Sequence, residues 1–468
     1  MAVQRLLDPH LASVPSTSPE TAQEQSRRYG IREGAFQAAM QGGGENYLSA
    51  FGLFLHATAL QIGLLSALPQ LVGTWSQLLS AKLLGHVHHR KLIMVWGAGA
   101  QALTWLPLII LPLLFPEHGA WLLIACTVLY VATGHFTVPA WNSLVIGLLS
   151  PDTRGSYFAR RARVMTIMNF CALASAALLL HTAEAWSSPW EGFVLIFLAA
   201  AGARTLSTYY LSQMNEAPTL GTQEARFRLF DFLQHKGGTN FRWFLMFSGF
   251  MHLCVLISGP FFVVYMLRDL HLTYWQYGTW MAAGILGQFL SFYTWGRFSD
   301  RFGNKRLLLV TGWLVPFLPM QYLWSTDMFF LLALNFLGGV VWSGLSLGLQ
   351  NYVFDIVREE DRAKGIAVWN SVNAVGWFIG AMIGSWLATA IPRHLEFGLL
   401  DIQVASSLPF VFFISGVLRL VVSFSLLNTF HETREVCPLP YRGLLAELPL
   451  LEPMVRAMGF RIGPKRSS

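Results

Sequence analysis

The sequence predicts an all-α polytopic membrane protein, with twelve transmembrane helices in two pseudo-symmetric six-helix bundles. Composition, the distribution of basic residues and an internal repeat support this prediction. Hydrophobic residues make up 54% of the 468 residues and charged residues 12%. Charged residues are therefore about half as frequent as in an ordinary soluble domain. A chain with so little charge favours the membrane interior over water.

Apolar stretches long enough to cross a bilayer as helices, about 20 residues each, recur along the chain. The twelve predicted spans lie at 34–57, 61–84, 92–114, 119–148, 162–183, 193–213, 241–267, 274–296, 307–325, 328–356, 365–391 and 403–428.

The polar stretch 215–240 contains Pro218, Gly237 and Gly238 and would link two halves of six helices each. The predicted organisation is a tail at 1–33, a first bundle at 34–214, the linker at 215–240, a second bundle at 241–428 and a tail at 429–468.

Basic residues fall almost entirely on one side of this predicted topology. The exceptions among 32 lysines and arginines are Arg268 and Arg393 in loops on the other side and Arg204 and Arg419 inside spans. Such an excess marks cytoplasmic loops. We therefore predict an integral protein of the plasma membrane, or of the inner membrane in a bacterium, with both termini in the cytoplasm. The net charge of +7 reflects this topology and predicts no nucleic-acid partner.

The two predicted halves repeat each other at one constant offset in residue number. The offset holds without a gap across two apolar helices, which makes a chance match improbable. The repeated pairs are 61–63 with 276–278, 90–92 with 305–307, and Arg204 with Arg419.

The segment 296–306, between predicted helices eight and nine, combines an acid, several bases and two glycines. It resembles the signature loop of the major facilitator superfamily, G-x-x-x-D-R-x-G-R-K. The match holds at Gly296, Asp300, Arg301, Gly303 and Lys305. Asn304 departs from the pattern, since the family usually has a base there. The first-half copy of the loop has lost its acid, because Gly85 stands in the place of Asp300.

The resemblance implies two bundles that rock around a site at the membrane midplane. It also implies that the signature loop docks against the start of helix five in the outward-open state. The basic loop 154–163 would supply the partners of Asp300 in this latch. Its bases are Arg154, Arg160, Arg161 and Arg163.

Glu45 is the only carboxylate that the predicted spans place deep in the membrane. It lies about 17 Å along helix one, near the midplane. Burial favours the neutral form of a carboxyl group, so Glu45 could exchange a proton near neutral pH. Gln41, Ser49 and His56 share its helical face, and Asn46 follows it directly.

Three glycines at 42–44 precede Glu45 and would weaken the helix. The repeat places Ser258-Gly259-Pro260 opposite 43–45. Matching breaks in both halves indicate a central binding site. The alternative is that Glu45 is a permanently paired structural charge and that the glycines serve helix packing. Because ionisable groups inside membranes are functional by default, we predict that Glu45 carries a proton.

Two histidines and a set of amides and tryptophans complete the candidate site. Each histidine either partners Glu45, relays a proton or binds solute, or forms a hydrogen bond between helices. The amides and tryptophans either contact a solute or join and fill the helix packing. The residues are His135, Asn142, His252, Trp342, Gln350, Asn351, Asn370, Asn373 and Trp377.

Arg204 and Arg419 lie one or two turns from the predicted inner membrane surface. We expect both side chains to extend toward that surface.

The residues and the resemblance together predict a monomeric secondary active transporter. It would move a small organic solute by alternating access, coupled to protons through Glu45. Two alternatives remain open: a lipid or amphiphile translocase on the same fold, and a non-transporting receptor or partner protein. The sequence has no phosphate loop, metal-ligand cluster or nucleophile–base pair. It therefore predicts no enzyme activity, cofactor or metal.

Overall fold

The computed structural model describes residues 19–84, 90–149, 151–215, 238–358, 361–391, 394–397, 400–403, 406–434 and 436. Most of the predicted linker, and the C-terminal tail beyond 436, lie outside these ranges.

The helices of the described first half follow the predicted spans, with several interruptions. A 3₁₀ turn at Glu45–Tyr47 separates α1 from α2. The helices are α1 (Pro19–Gly43), α2 (Leu48–Phe54), α3 (Ala59–Leu84), α4 (Arg90–Leu103), α5 (Trp105–Leu114), α6 (Gly119–Leu148), α7 (Pro151–Ala185) and α8 (Pro189–Ser212).

The described second half repeats this arrangement. A single π-helical turn at Tyr265–Asp269 follows α10, and a two-stranded antiparallel hairpin precedes the last helix. The elements are α9 (Gly238–Ser258), α10 (Phe261–Val264), α11 (Tyr274–Phe302), α12 (Asn304–Leu314), α13 (Phe317–Met320), α14 (Met328–Ile356), α15 (Arg362–Ala390), β1 (His394–Phe397), β2 (Leu400–Gln403) and α16 (Leu408–Leu426).

Among the described residues, eight helical stretches are long and apolar enough to cross a membrane. They correspond to predicted spans three to seven and ten to twelve. The other helical stretches, at 19–54, 59–84, 274–302 and 304–323, coincide with the four remaining predicted spans but fall below that length-and-hydropathy test. The helical membrane fold is thus confirmed, and eight of the twelve predicted spans pass the test among the described residues.

Two helices begin earlier than predicted. Helix α1 begins at Pro19, well inside the predicted tail 1–33. Helix α7 begins at Pro151, so the predicted basic loop 154–163 is helical. Both extensions are too polar to register as apolar stretches, and hydrogen bonds from Arg161 join them. Glu33, for example, is 2% exposed and accepts a charged hydrogen bond from Arg161.

The two ends of the bundle differ in how the halves meet. We call the end that carries Leu84, Leu148, Phe302 and Ile356 the basic end, after the charged turns beside these residues, and the other the opposite end. At the opposite end one apolar cluster runs through both halves, from Leu65 and Phe193 to others in α10 and α11. The halves are therefore packed together there.

Specific contacts close the opposite end. The Ser385 hydroxyl donates to the carbonyl oxygen of Ala59 in the other half at 3.2 Å. The Tyr47 ring lies edge-on to Tyr277, with centroids 6.3 Å apart. At the basic end, the buried clusters stay within one half each: one in the first half around Leu144 and two in the second. Among the described residues, buried apolar clusters therefore join the two halves at the opposite end and not at the basic end.

Small residues allow close helix contacts inside the second half. A methyl group added at Gly380 of α15 would overlap the carbonyl oxygen of Leu253 in α9. By contrast, a methyl group added at Gly202 of α8, in the first half, would meet nothing within 4 Å. Close approach through small residues is the usual route to helix association in lipid.

We expect Gly380→Ala to destabilise the protein by about 1–3 kcal/mol, because the methyl group forces α9 and α15 apart. Gly202→Ala should be neutral or stabilising by up to about 1 kcal/mol, since alanine is the better helix former. Thermal unfolding in detergent measures both variants. Equal midpoints for the two would contradict the close packing of α9 against α15.

Candidate functional site

The first helix breaks directly before Glu45, as the three glycines predict. Helix α1 ends at Gly43, and a side chain at Gly44 would overlap the ring of Trp105. Glu45 opens the 3₁₀ turn that follows. The break therefore removes Glu45 from a regular helix at a point where the chain packs tightly on its neighbours.

The Glu45 carboxylate is held inside the first half. Its Oε2 accepts a hydrogen bond from the Tyr130 hydroxyl of α6 at 2.9 Å, and the side chain of Gln41 also hydrogen-bonds to it. Tyr130 is 1% exposed and Glu45 is partly buried. The carboxylate has two neutral donors and no cation beside it, so no permanent ion pair within the described residues fixes its charge.

The second half breaks at the matching place. Helix α9 ends at Ser258, the Gly259 amide donates to Val255, and Pro260 begins a new turn before α10. Pro260 repeats Glu45 at the offset that relates Arg204 to Arg419. Only the first half therefore carries an acid at its break.

A cavity of about 350 Å³ lies between the two halves, which we call the interface cavity. Helices α3 and α6 line it from the first half, and α9, α14 and α15 from the second. Its polar and aromatic lining residues are Gln70, Thr74, Gln77, His135, His252, Trp342, Ser346, Gln350, Trp369, Asn370, Asn373 and Trp377.

The structure brings seven of the predicted site residues into this cavity: both histidines, three amides and two tryptophans. The polar residues of α3 were missed by the sequence analysis. Gln70, Thr74 and Gln77 recur at spacings of four and three, so they share one helical face. That spacing within an apolar helix was the signal that could have identified them.

A hydrogen-bond network centred on Ser248 positions one wall of the interface cavity. Trp369 Nε1 donates to the Ser248 hydroxyl at 2.8 Å, and that hydroxyl donates to the side-chain oxygen of Asn373 at 2.9 Å. His252 Nδ1 lies 2.8 Å from the carbonyl oxygen of Ser248. The His252 ring also lies 5.6 Å from that of Trp377. Contacts within the protein therefore hold these side chains in place.

Several predicted site residues lie outside the interface cavity. Asn142 is exposed and lines neither cavity described here, so its solute contact stays a prediction. Asn351 and Ser49 are partly buried but line neither cavity described here. Gln41 stays with Glu45 inside the first half.

A second cavity, of about 410 Å³, lies within the second half, and we call it the C-half cavity. Asn46 reaches it from the first half, and Trp342 lines both cavities. Apolar and aromatic side chains make most of its wall, including Phe262 and Trp280. Arg419 also lines it.

The comparisons with known proteins agree with this architecture. A family model described as the Major Facilitator Superfamily matches residues 244–436, most of the second half. A solved structure of a mutant of the nucleoside transporter NupG superposes with a TM-score of 0.68 at 13% identity, covering 87% of this chain and 100% of that one. The second half of the chain thus matches the major facilitator superfamily, and the chain as a whole shares the fold of these transporters.

Other transporters also resemble the chain, again at low sequence identity. A bacterial homologue of the iron transporter ferroportin, in an inward-facing state, gives a TM-score of 0.62 at 14% identity, with 88% of this chain and 99% of that chain covered. A probable peptide/nitrate transporter of Arabidopsis thaliana is 27% identical over 159 residues, which is 32% of this chain. The match spans 33% of the plant protein's length.

Arg204 does not extend to the membrane surface, so that prediction is wrong. Its side chain is 2% exposed, and its Nη1 lies 3.8 Å from the carboxylate of Glu33. Arg204 also donates to the Ser207 hydroxyl at 2.9 Å, and that hydroxyl donates to Glu33 at 3.3 Å. Arg161 donates to the other oxygen of Glu33 at 2.8 Å. Glu33 was missed as a buried acid because helix one was predicted to begin after it.

Arg419 is also buried, at 5% exposure, so the same prediction is wrong for it. Its Nη2 donates to the Ser258 hydroxyl at 2.7 Å and to the Val255 carbonyl at 3.4 Å, while Nη1 donates to Val315 at 3.3 Å. All of these acceptors are neutral. Within the described residues, no carboxylate forms an ion pair with Arg419.

The predicted latch is not engaged in this structure. Asp300 is exposed, as are Arg160 and Arg163 on α7, and no ion pair joins them in the described part of the chain. Arg161 is instead bound to Glu33 within its own half. The side chain of Arg154 lies outside the described residues. The latch therefore stays a prediction for another conformation.

The signature loop of the superfamily is held by its own half. Gly303 has φ of +89°, a left-handed conformation that glycine adopts without strain, and its amide donates to the end of α11. The Lys305 ammonium donates to the Leu427 carbonyl and lies 3.4 Å from the centre of the Phe430 ring. Its backbone amide donates to Glu432 at 2.9 Å.

Two further positions of the loop depart from expectation. Asn304, which replaces the usual base, is fully buried and donates to the Asp355 carboxylate at 2.6 Å. At Gly296 an added methyl group would meet nothing within 4 Å, so close helix approach does not require glycine there in this conformation. The neighbouring Arg301 lies 4.8 Å from the ring centre of Phe302.

We expect Glu33→Gln to destabilise the protein by about 3–5 kcal/mol, because it leaves the buried Arg204 and the partly buried Arg161 without their counter-charge. Glu24→Gln is the matched control on the same helix. Its carboxylate is 52% exposed and pairs with Arg27 and Arg28, so it should change stability by at most about 1 kcal/mol. Thermal unfolding in detergent compares them, and equal losses would contradict a buried network.

Proposed function

We propose that the protein is a secondary active transporter that moves a small organic solute across the membrane by alternating access. The observation that carries this proposal is the interface cavity. Both halves line it, and buried apolar clusters join the halves at the opposite end but not, among the described residues, at the basic end. A carrier caught open to one side has this geometry.

The lining of the interface cavity favours a polar solute with a planar or aromatic part. Three tryptophans offer flat faces, and amides such as Asn370 and Gln350 offer both donors and acceptors. The Trp377 indole nitrogen is buried without a hydrogen-bond acceptor, so it can donate to a solute. Most ligand sites likewise combine an apolar wall with a few placed polar groups.

Proton coupling through Glu45 is the second part of the proposal. A carboxylate with only neutral hydrogen-bond donors, Tyr130 and Gln41, can gain a proton without breaking an ion pair. The charged form is disfavoured in the membrane interior. Protonation would therefore lower the barrier to reorientation of the first half, whose helix one is already broken at Gly44.

Alternating access can be tested without knowing the solute. In a background without the four native cysteines, Asn370→Cys lies in the interface cavity and should react with a membrane-impermeant thiol reagent from either side of the membrane. A crosslink between Ala59→Cys and Ser385→Cys, formed first, should hold the opposite end closed. Labelling of residue 370 should then persist only from the basic end.

The exposed Thr326, mutated to cysteine, is the control, because it should react from the opposite end with or without the crosslink. If residue 370 reacts from one side only in the uncrosslinked protein, alternating access is wrong and a receptor role is favoured.

For Glu45→Gln we expect loss of pH dependence. In the otherwise unchanged protein, labelling of residue 370 from the opposite end should become faster as the pH falls, because protonation removes the buried charge. Glu45→Gln should label at the fast rate at every pH, since glutamine mimics the protonated acid. The exposed Glu117→Gln should keep the normal pH dependence.

With a solute in hand, Glu45→Gln should also lose accumulation while exchange persists. A Glu45→Gln protein that keeps the pH profile of the unsubstituted one would rule out Glu45 as the coupling group.

A further inference from the structure

The C-half cavity contains an uncompensated buried cation, Arg419. Its guanidinium is bound only by neutral oxygens, and its Nε has no hydrogen-bond partner. A buried charge without a counter-charge is strongly unfavourable in a membrane protein unless something neutralises it. Within the described residues, no acid lies within ion-pair distance to do so.

The internal repeat explains why this arginine lacks a partner. Arg419 repeats Arg204, and Ser248 repeats Glu33 at the same offset in residue number. The first half therefore has a buried acid beside its arginine, whereas the second half has a serine at the matching position. Ser248 is used in the network of Trp369 and Asn373. Arg419 turns instead toward the helix break at Ser258.

The surroundings of Arg419 form a site for a ligand. The side-chain amides of Asn46 and Gln288 line the same cavity and make no hydrogen bond within the described structure. The remaining wall is apolar and aromatic, including Phe262 and Leu334. A volume of about 410 Å³ accommodates a small organic molecule.

We propose that the C-half cavity binds an organic anion, with a single carboxylate on Arg419 and an apolar body against the aromatic wall. A planar guanidinium matches a carboxylate through paired hydrogen bonds, and the anion supplies the missing counter-charge. Asn46 belongs to helix one, so a bound anion contacts both halves and lies next to the interface cavity, which shares Trp342. This inference rests on the proposed transport function and names its substrate class.

The test uses purified full-length protein in detergent. The probes are benzoate and octanoate, their neutral amides, and phenyl phosphate, compared by thermal shift and then by calorimetric titration. We expect saturable binding of at least one carboxylate and none of its amide. Arg419→Gln should weaken that binding at least about tenfold, the typical effect of losing one charge-assisted hydrogen bond. Arg242→Gln, an exposed arginine of the same half, should leave it unchanged.

A second variant keeps the proposal falsifiable if Arg419→Gln fails to fold. Ser258→Asp places a fixed carboxylate at the Arg419 guanidinium, so it should abolish carboxylate binding and raise the unfolding midpoint of the ligand-free protein. Binding of neither carboxylate, or binding by Ser258→Asp as tight as in the unsubstituted protein, would overturn the proposal. Preference for phenyl phosphate over both carboxylates would overturn the assignment of a carboxylate.

The binding test and the labelling test can fail independently of each other. Carboxylate binding with one-sided labelling of residue 370 leaves the anion site standing and rejects alternating access. Labelling of residue 370 from both sides without any Arg419-dependent binding supports alternating access and rejects the anion site.

Discussion

The neutralisation of buried charge is the constraint on which the arrangement of both halves depends. In lipid, a charged or polar group that is removed from water must find its partner inside the protein. Glu33 meets this need for Arg204 and Arg161, and in doing so it joins α1, α7 and α8. In the second half, no described acid pairs with the matching Arg419. The same repeated geometry thus gives an ionic network in one half and a cavity lined by the arginine in the other.

The helix breaks show a second asymmetry between the halves. Both first helices of the repeat are interrupted at the same register, at Gly44 and at Gly259-Pro260. A broken helix frees backbone groups and lets side chains leave the regular helical face. In the first half the freed position carries an acid, and in the second it carries proline beside the Ser258 hydroxyl that binds Arg419. The acid Glu45 therefore lies in the first half, and the base Arg419 lies in the second.

Much of the fold was predictable from the sequence because lipid imposes simple requirements. Apolar length indicated the spans, the constant offset of the repeat indicated the two halves, and the glycines before Glu45 indicated the break. The same signals failed for α1 and α7, whose N-terminal extensions are polar and are joined through an ion pair between Glu33 and Arg161 that hydropathy does not detect. The position of Glu33 could not be predicted without knowing that Arg161 and Arg204 approach it from distant parts of the chain.

The candidate site was predictable in part, for a related reason. Residues such as His252, Asn370 and Trp377 were identified because polar and aromatic groups are rare inside spans. These residues meet in one cavity because of how the two halves pack, and the patterns in the sequence do not reveal that packing. Asn142 and Asn351 carry the same amide chemistry but lie outside it. The sequence also favoured a surface position for Arg419, since snorkelling is the usual outcome for an arginine near a helix end.

The segment that follows α16 has a mechanical consequence. Leu427, Phe430 and Glu432 contact the turn between α11 and α12, and the backbone of His431 exchanges hydrogen bonds with Asn240 at the start of α9. The chain's exit from the last helix is therefore bonded to the first and middle helices of its half. A pull on the C-terminal tail would therefore be transmitted directly to the charged turn between α11 and α12.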